Sequence, residues 1–379
     1  MNLNKIPATV VTGFLGSGKT TLLAGMLRQV TGKRIAVIVN EFGEQDIDSS
    51  LLRGCALSCE EEGGEGGAPV EVERGIYELA NGCICCTVEE EFLPVMKQLV
   101  ARRDTIDHIL IETSGLALPK PLVQAFNWPE VRQHCTVDAI ITVVDGPAVA
   151  AGRYAHDVAR VEAQRLADES LDHDPSLHEL LDDQLSAADL VLVTKTDLLD
   201  PAERARVEAL IAQRVPASVK TLFIDQRAYG NGDGDASRAA ERAQLEALMG
   251  IGAASEETID RIDNHHDRHH AEGAHHDHAH DHFDSCVIRL GEVDGEALAA
   301  RLQALLKSHE IYRAKGFAAI PGKPMRRVIQ AVGERLDGYF DRLWGADEPR
   351  ATQLVFIGKG LDGAALQAAL ADVEIATSP

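Results

Sequence analysis

Residues 13 to 20 read Gly-Phe-Leu-Gly-Ser-Gly-Lys-Thr, and an octet of that form works only between a strand and a helix. The run Ala8 to Thr12 supplies the strand, and Thr21 to Val30, with Leu22, Leu23, Met26 and Leu27 at helical spacing, supplies the helix. Gly13, Gly16 and Gly18 let the backbone turn its N–H groups inward around phosphate oxygens, with Ser17 and Thr21 flanking the cradle, and the helix adds its positive end. In such a loop Lys19 reaches the β and γ phosphates and the Thr20 hydroxyl is placed to bind Mg²⁺. The octet therefore predicts a nucleoside triphosphate site.

At 379 residues the chain exceeds one ordinary core, so two domains are expected. Its formal net charge of -23 repels nucleic acid and anionic membrane and attracts cations. No apolar run approaches a membrane span, and the first 12 residues already feed the phosphate loop, so the expected location is the cytoplasm. The seven cysteines are odd in number and clustered, a usage that points to metal rather than disulfides.

Arg34 to Val39 is a second buried-strand run, and it ends at Asn40-Glu41-Phe42-Gly43, where a parallel sheet presents its ligand-binding edge. Glu41, Glu44, Asp46 and Asp48 crowd this loop. They form either a solvated acidic loop or a nucleotide-sensing switch that lends carboxylates to a metal. Residues 54 to 75, with Cys55, Cys59 and four glycines beyond the glutamates at 60 to 62, read as a flexible insertion. Cys55 and Cys59 read as incidental thiols, with transient metal capture the alternative.

Cys83, Cys85 and Cys86 place three thiols in four residues. Thr87 and Glu90 match a capping box for a helix from about 88 to 102, so Cys86 would stand at a helix N-terminus, where thiolates are favoured. Three soft sulfurs suit Zn²⁺ or Co²⁺ rather than Mg²⁺. A buried cluster of reduced cysteines or a redox pair is the alternative.

The segment His108-Ile-Leu-Ile-Glu112-Thr-Ser-Gly115 predicts a strand beside the phosphate-loop strand, with Glu112 near the Mg²⁺ and the Gly115 N–H within reach of the γ phosphate. Val137 to Val144 and Leu190 to Val193 are further strands, separated by a polar helical stretch, 157 to 187, whose acidic run reads as a solvated face. After the second comes Thr194-Lys195-Thr196-Asp197. A carboxylate at 197 can accept from N1–H and the 2-amino group of guanine, a donor pair that adenine lacks. Val219 to Ile224 is the last strand of this domain.

Between His265 and His282 nine of the fifteen histidines are interleaved with Asp267, Asp277 and Asp281, a low-complexity tract of metal-buffering composition. Beyond it, strands at 286 to 290, 312 to 320, 326 to 332 and 353 to 357 with helices near 294 to 308 and 362 to 371 suggest a small βαβββα domain. The expected fold is thus α/β: a nucleotide domain of mainly parallel sheet over 1 to 250, a flexible linker over 251 to 283, and a smaller α+β domain over 284 to 379.

The phosphate loop, Asn40 to Gly43, Cys83 to Cys86, Glu112 to Gly115 and the histidine tract together resemble the P-loop metallochaperone GTPases of the CobW type. Ile111 to Pro129 is similar to the cobalamin-synthesis branch. The resemblance implies a GTPase that delivers Co²⁺ for cobalamin synthesis, toward the cobaltochelatase or another metal-requiring client. It also implies roles for Lys19 and Thr20 on phosphate and Mg²⁺, for Cys83, Cys85 and Cys86 on the cargo metal, and for Glu112 and Gly115 in the switch. Thr194 departs from the family's usual Asn but leaves Lys195 and Asp197 for GTP. A zinc chaperone of the same family is the alternative cargo reading. A passive metal store would leave the phosphate loop idle, and a small-molecule kinase would need an acceptor pocket that no sequence feature provides.

Overall fold

The computed structural model describes residues 5–27, 34–40, 72–73, 76–79, 92–167, 177–225, 284–345 and 348–375. Glu41, Cys55, Cys59, Cys83, Cys85, Cys86 and the histidine tract lie outside the described residues. The described chain falls into two compact units, residues 5–225 and 284–375.

The first unit is built on an eight-stranded sheet. In chain order its strands are β1 (Ile6–Thr12), β2 (Ile35–Asn40), β3 (Val72–Glu73), β4 (Ile76–Leu79), β5 (His108–Glu112), β6 (Cys135–Asp145), β7 (Leu190–Thr194) and β8 (Lys220–Phe223). They lie in the order β3-β4-β2-β5-β1-β6-β7-β8. Every neighbouring pair is parallel except β3 with β4. Its helices are α1 (Lys19–Leu27), α2 (Leu93–Ala101), α3 (Pro119–Ala125), α4 (Pro129–Arg132), α5 (Gly146–Ala150), α6 (Val158–Ala167), α7 (Leu177–Ser186) and α8 (Pro201–Ala212).

Parallel strands covered on both faces become continuous apolar runs, which is why all five residues of β5 and all five of β7 are buried. Each such Val, Leu or Ile contributes about 1.5 to 3 kcal/mol by leaving water. One core cluster joins β1, β2 and β5 to Val95, Met96, Leu99, Leu122 and Val131 of α2, α3 and α4. A second joins β6 and β7 to α5, α7 and α8 through Val149, Leu180, Leu181, Val207 and Ile211. Asp200 starts α8 with a full capping box to Glu203, an arrangement that satisfies two orphan donors at once.

Strand order places the phosphate loop. From β1 the chain crosses to β2, returns to β5 between them, and then continues on the other side of β1 at β6. Such a reversal opens a crevice at the carboxyl ends of the central strands, where ligands of parallel sheets bind. Val11 of β1 stands level with Glu112 of β5, so the phosphate loop and the loop after Glu112 leave the sheet side by side.

The second unit is an antiparallel sheet of β9 (Asp284–Leu290), β10 (Ile311–Ala318), β11 (Met325–Val332), β12 (Arg335–Leu343) and β13 (Thr352–Gly358), with α9 (Gly295–Ser308) and α10 (Gly363–Leu370). The strand order is β12-β11-β10-β13-β9. Leu298, Leu302, Leu306, Leu366 and Leu370 of the two helices pack on Ile288, Ile329, Leu354 and Phe356. The α+β class agrees with the sequence reading, but the order is βαββββα: β12 is an additional edge strand. Val72–Glu73 likewise form a strand at the end of the segment read as a flexible insertion. Among the described residues no helix is long and apolar enough to cross a membrane.

Candidate functional site

The phosphate loop leaves β1 at Gly13, whose φ of +135° is left-handed territory, and a Cβ there would sit 2.1 Å from the Val143 carbonyl of β6. Only glycine lets the loop lie this close to the sheet. Lys19 begins α1 and is 7% exposed. Its Nζ donates to the carbonyls of Gly13 at 2.5 Å and Phe14 at 3.1 Å, so the ammonium is folded against the loop it serves. Thr21 faces solvent.

Thr20 of α1 and Glu112 at the end of β5 meet: the Thr20 hydroxyl donates to Glu112 Oε1 at 2.6 Å, and both residues are buried. A hydroxyl and a carboxylate are hard oxygen donors of the kind that Mg²⁺ takes one or two of beside phosphate oxygens. Ser17 Oγ and Thr12 Oγ1 are buried with no hydrogen-bond partner among the described residues. Orphaned hydroxyls at this density are uncommon in a finished core. Here they sit within and just before the phosphate loop, so the residues present fit a triphosphate and its Mg²⁺.

The loop after Glu112 stays pinned to the sheet by the Thr113 N–H, which donates to the Val11 carbonyl at 3.0 Å. Gly115 then lies against the phosphate loop: a Cβ on it would stand 2.6 Å from the backbone nitrogen of Leu15.

The third loop follows β7. The Thr194 hydroxyl donates to the Ser17 carbonyl at 2.6 Å and approaches the Val144 carbonyl at 3.2 Å. The residue that departs from the family's asparagine thus ties the base-side loop to the phosphate loop. Lys195 sits at φ +57°, among the described residues the only non-glycine with positive φ, a conformation that costs a side-chain-bearing residue and clusters at functional sites. Its Nζ donates to the Gly16 carbonyl at 2.7 Å and to Asp145 Oδ2 at 2.5 Å. Asp145 is 2% exposed, and its other oxygen accepts from the Ala148 N–H at the start of α5. Asp197 is exposed in the single turn Thr196–Leu198, free of burial that would hinder a base.

Two residues escaped sequence reasoning. Asp145 could have been suspected as a carboxylate closing a buried strand before Gly-Pro, a helix-start signal. Gln184, which bonds the Gly115 loop, carries no local signal at all.

Two cysteines fall among the described residues, and burial governs both. It pushes the Cys135 thiol up to about 12, and together with the charges of Asp284 and Asp362 it pushes Cys286 to about 11. Each keeps its proton at neutral pH, and the thiolate is the metal-binding form. Among the described residues no group of three or more His, Cys, Asp and Glu could hold a metal ion.

The nucleotide-binding domain profile of the CobW/HypB/UreG family matches residues 7–223, and the cobalamin synthesis protein cobW C-terminal domain profile matches residues 283–374. The chain belongs to this family. The "Zinc chaperone CobW" of Pseudomonas aeruginosa is 54% identical over 96% of this chain and 90% of its own length. The protein of the same name from Sinorhizobium sp is 47% identical over 97% of each. Among solved structures, the Zn(II)-bound YjiA GTPase from E. coli is 24% identical and covers 98% of this chain and 100% of its own, with a TM-score of 0.36. Membership of this family makes the first unit a nucleotide-binding domain, and the arrangement of Lys19, Thr20 and Glu112 described above suits a triphosphate.

Proposed function

We propose that the protein is a GTP-hydrolysing metallochaperone, in which hydrolysis times the release of a divalent cargo ion to a client protein in the cytoplasm. The observation that carries the reading is the contact of the Thr20 hydroxyl, on the helix after the phosphate loop, with Glu112 at the end of the adjacent parallel strand, beside a lysine hydrogen-bonded to the loop's own carbonyls. In use, Lys19 exchanges those carbonyls for the β and γ phosphoryl oxygens. The phosphate-loop N–H groups orient the phosphates, and Asp197 selects guanine. When bound, Mg²⁺ neutralises charge on the phosphates, and Thr20 and Glu112 are the residues that would hold it. The loop after Glu112 abuts the phosphate loop at Gly115, which supports a role in sensing loss of the γ phosphate.

Cys83, Cys85 and Cys86 are the proposed cargo ligands, with Glu41 as a candidate carboxylate from the neighbouring loop. Burial raises the Cys135 and Cys286 thiols to about 12 and about 11, which makes those two poor cargo ligands near neutrality. The names of the two zinc chaperones, 54% and 47% identical to this chain, support Zn²⁺ as the cargo. Co²⁺ delivery for cobalamin synthesis, with the cobaltochelatase as client, is the second reading. It is favoured by the likeness of Ile111 to Pro129 to the cobalamin-synthesis branch and by the C-terminal profile.

Two measurements test this. Purified protein should hydrolyse GTP with no organic acceptor present, whereas a small-molecule kinase would consume nucleotide only with its acceptor. Cargo and GTP should also couple: Zn²⁺ or Co²⁺ should bind about 5 to 150-fold more tightly with GTP than with GDP, and linkage requires the metal to tighten GTP by the same factor. Cys85→Ala or Cys86→Ala should remove the coupling. Equal metal affinity in the two nucleotide states would refute the timing mechanism, and competition between the two ions decides the cargo.

A further inference from the structure

Gln184 of α7 is 0% exposed, in a stretch where Leu180, Leu181 and Leu185 are core residues. Its Nε2 donates to the Gly115 carbonyl and to the Ala117 carbonyl, each at 3.1 Å. Its Oε1 has no hydrogen-bond partner among the described residues. The Thr142 hydroxyl donates to the Gln184 backbone carbonyl at 2.8 Å, which anchors this end of α7 to β6. An amide in an apolar core is costly unless its polar atoms are served. With Oε1 unserved, packing alone does not account for a glutamine where a leucine would fill the space.

What the amide holds is the segment between Glu112 and α3. Two carbonyls facing one side chain orient the amide with its N–H₂ toward them, because Oε1 in that place would meet two acceptors. A trans peptide points its N–H opposite to its C=O. Gripping the carbonyls of Gly115 and Ala117 therefore sets the direction of the Leu116 and Leu118 N–H groups as well. Gly115 itself lies so near the phosphate loop that a Cβ would stand 2.6 Å from Leu15 N. Phe14 of the phosphate loop and Leu116 share one core cluster with Leu180, Leu181 and Leu185 of α7, so a shift of this loop meets α7 through both polar and apolar contacts.

We propose that Gln184 is a positioning residue that holds the Gly115–Ala117 segment in its GTP-competent place, so that discrimination between GTP and GDP depends on the amide of α7. The proposal rests on the GTPase reading and adds to it a residue and a helix that read the nucleotide state.

The test is equilibrium binding of GDP and of a non-hydrolysable GTP analogue, each with Mg²⁺, to the native full chain and to Gln184→Met, which keeps length and apolar volume while deleting both donors. Two lost hydrogen bonds predict analogue binding weaker by about 5 to 150-fold. GDP affinity should stay within about twofold on the same grounds, because the segment has no γ phosphate to meet. Parallel weakening of both nucleotides, or an unchanged ratio, overturns the proposal. Should Gln184→Met not fold, amide hydrogen exchange on the native protein decides: residues 177–186 and 114–118 should slow together when the analogue replaces GDP, and no nucleotide response at 177–186 overturns it. A native chain that binds no guanine nucleotide overturns the GTPase reading and this proposal together, whereas a Gln184→Met chain that discriminates between the two nucleotides as strongly as the native chain overturns this proposal alone.

Discussion

Glu112 and Asp341 are both buried carboxylates, 4% and 1% exposed, and their surroundings differ in kind. Asp341, on β12 of the second unit, accepts from Arg326 Nη2 at 2.6 Å, from Arg326 Nε at 3.2 Å and from the Arg342 N–H at 2.7 Å. The Arg326 guanidinium also lies over the Phe317 ring at 3.4 Å, and Arg342 forks onto Glu348 at 2.5 and 2.8 Å. These charges answer one another. At the carboxyl edge of the first sheet, Glu112 accepts from a neutral hydroxyl, Lys19 leans on backbone carbonyls, and the hydroxyls of Ser17 and Thr12 have no partner among the described residues. A buried network whose members satisfy each other holds a fold together, while buried hydroxyls without a partner among the described residues, as at Ser17 and Thr12, leave bonding capacity for a ligand.

The largest expected effect tests the ligand side of this contrast. Lys19→Ala should lower GTP turnover by about 10² to 10³-fold or more, the scale for losing one electrostatic contact to a transition state, with little change in melting temperature. Unchanged turnover would remove Lys19 from the chemistry. On the other side, Asp341→Ala takes from the Arg326 cation its closest partner and leaves it the longer contact with Glu348 at 3.7 Å, and breaking a buried pair costs about 3 to 5 kcal/mol. Denaturant titration of that variant should show the loss, and a cost under about 1 kcal/mol, the range of exposed pairs, would mean that the pair is not structural.

The smallest effect is a pH dependence. The Arg342 guanidinium, bonded to Glu348, draws its carboxyl down to about 2 from the ordinary 4.5, helped by the Gly345 N–H and Arg326 and opposed by partial burial. A group whose folded value is depressed stabilises the fold above its unfolded value and loses that contribution as pH falls toward the folded one. Stability should therefore decline between about pH 4.5 and 2. Glu348→Gln should flatten that part of the acid limb while lowering stability at neutral pH. An acid limb that keeps its slope in the variant would assign the titration to other carboxylates.

Much of the nucleotide domain could be read from residue order because its signals are local. A strand, a glycine turn and a helix within 22 residues specify the phosphate loop, and apolar runs such as Ile-Ala-Val-Ile-Val and His-Ile-Leu-Ile-Glu are strands that only a doubly covered parallel sheet can bury. The placement of β5 beside β1, and with it the meeting of Glu112 and Thr20, followed from the same pattern. The Asp200-Pro-Ala-Glu203 start of α8 is also legible in residue order as a capping box. β12 was not, because Arg335-Leu-Asp-Gly-Tyr-Phe-Asp-Arg-Leu343 is too polar for a buried run, and an edge strand needs neighbours on one side only.

What local pattern determined is the class of each domain, the phosphate loop and the carboxylate that faces it. What tertiary structure alone decided is which distant groups close on that loop: Thr194 to Ser17 across 177 residues, Lys195 to Gly16 across 179, and Gln184 to Gly115 across 69. The reason is physical. Helix and strand periods arise from neighbours a few residues apart, whereas the partner of a buried side-chain donor is whichever acceptor the folded sheet brings within about 3 Å of it.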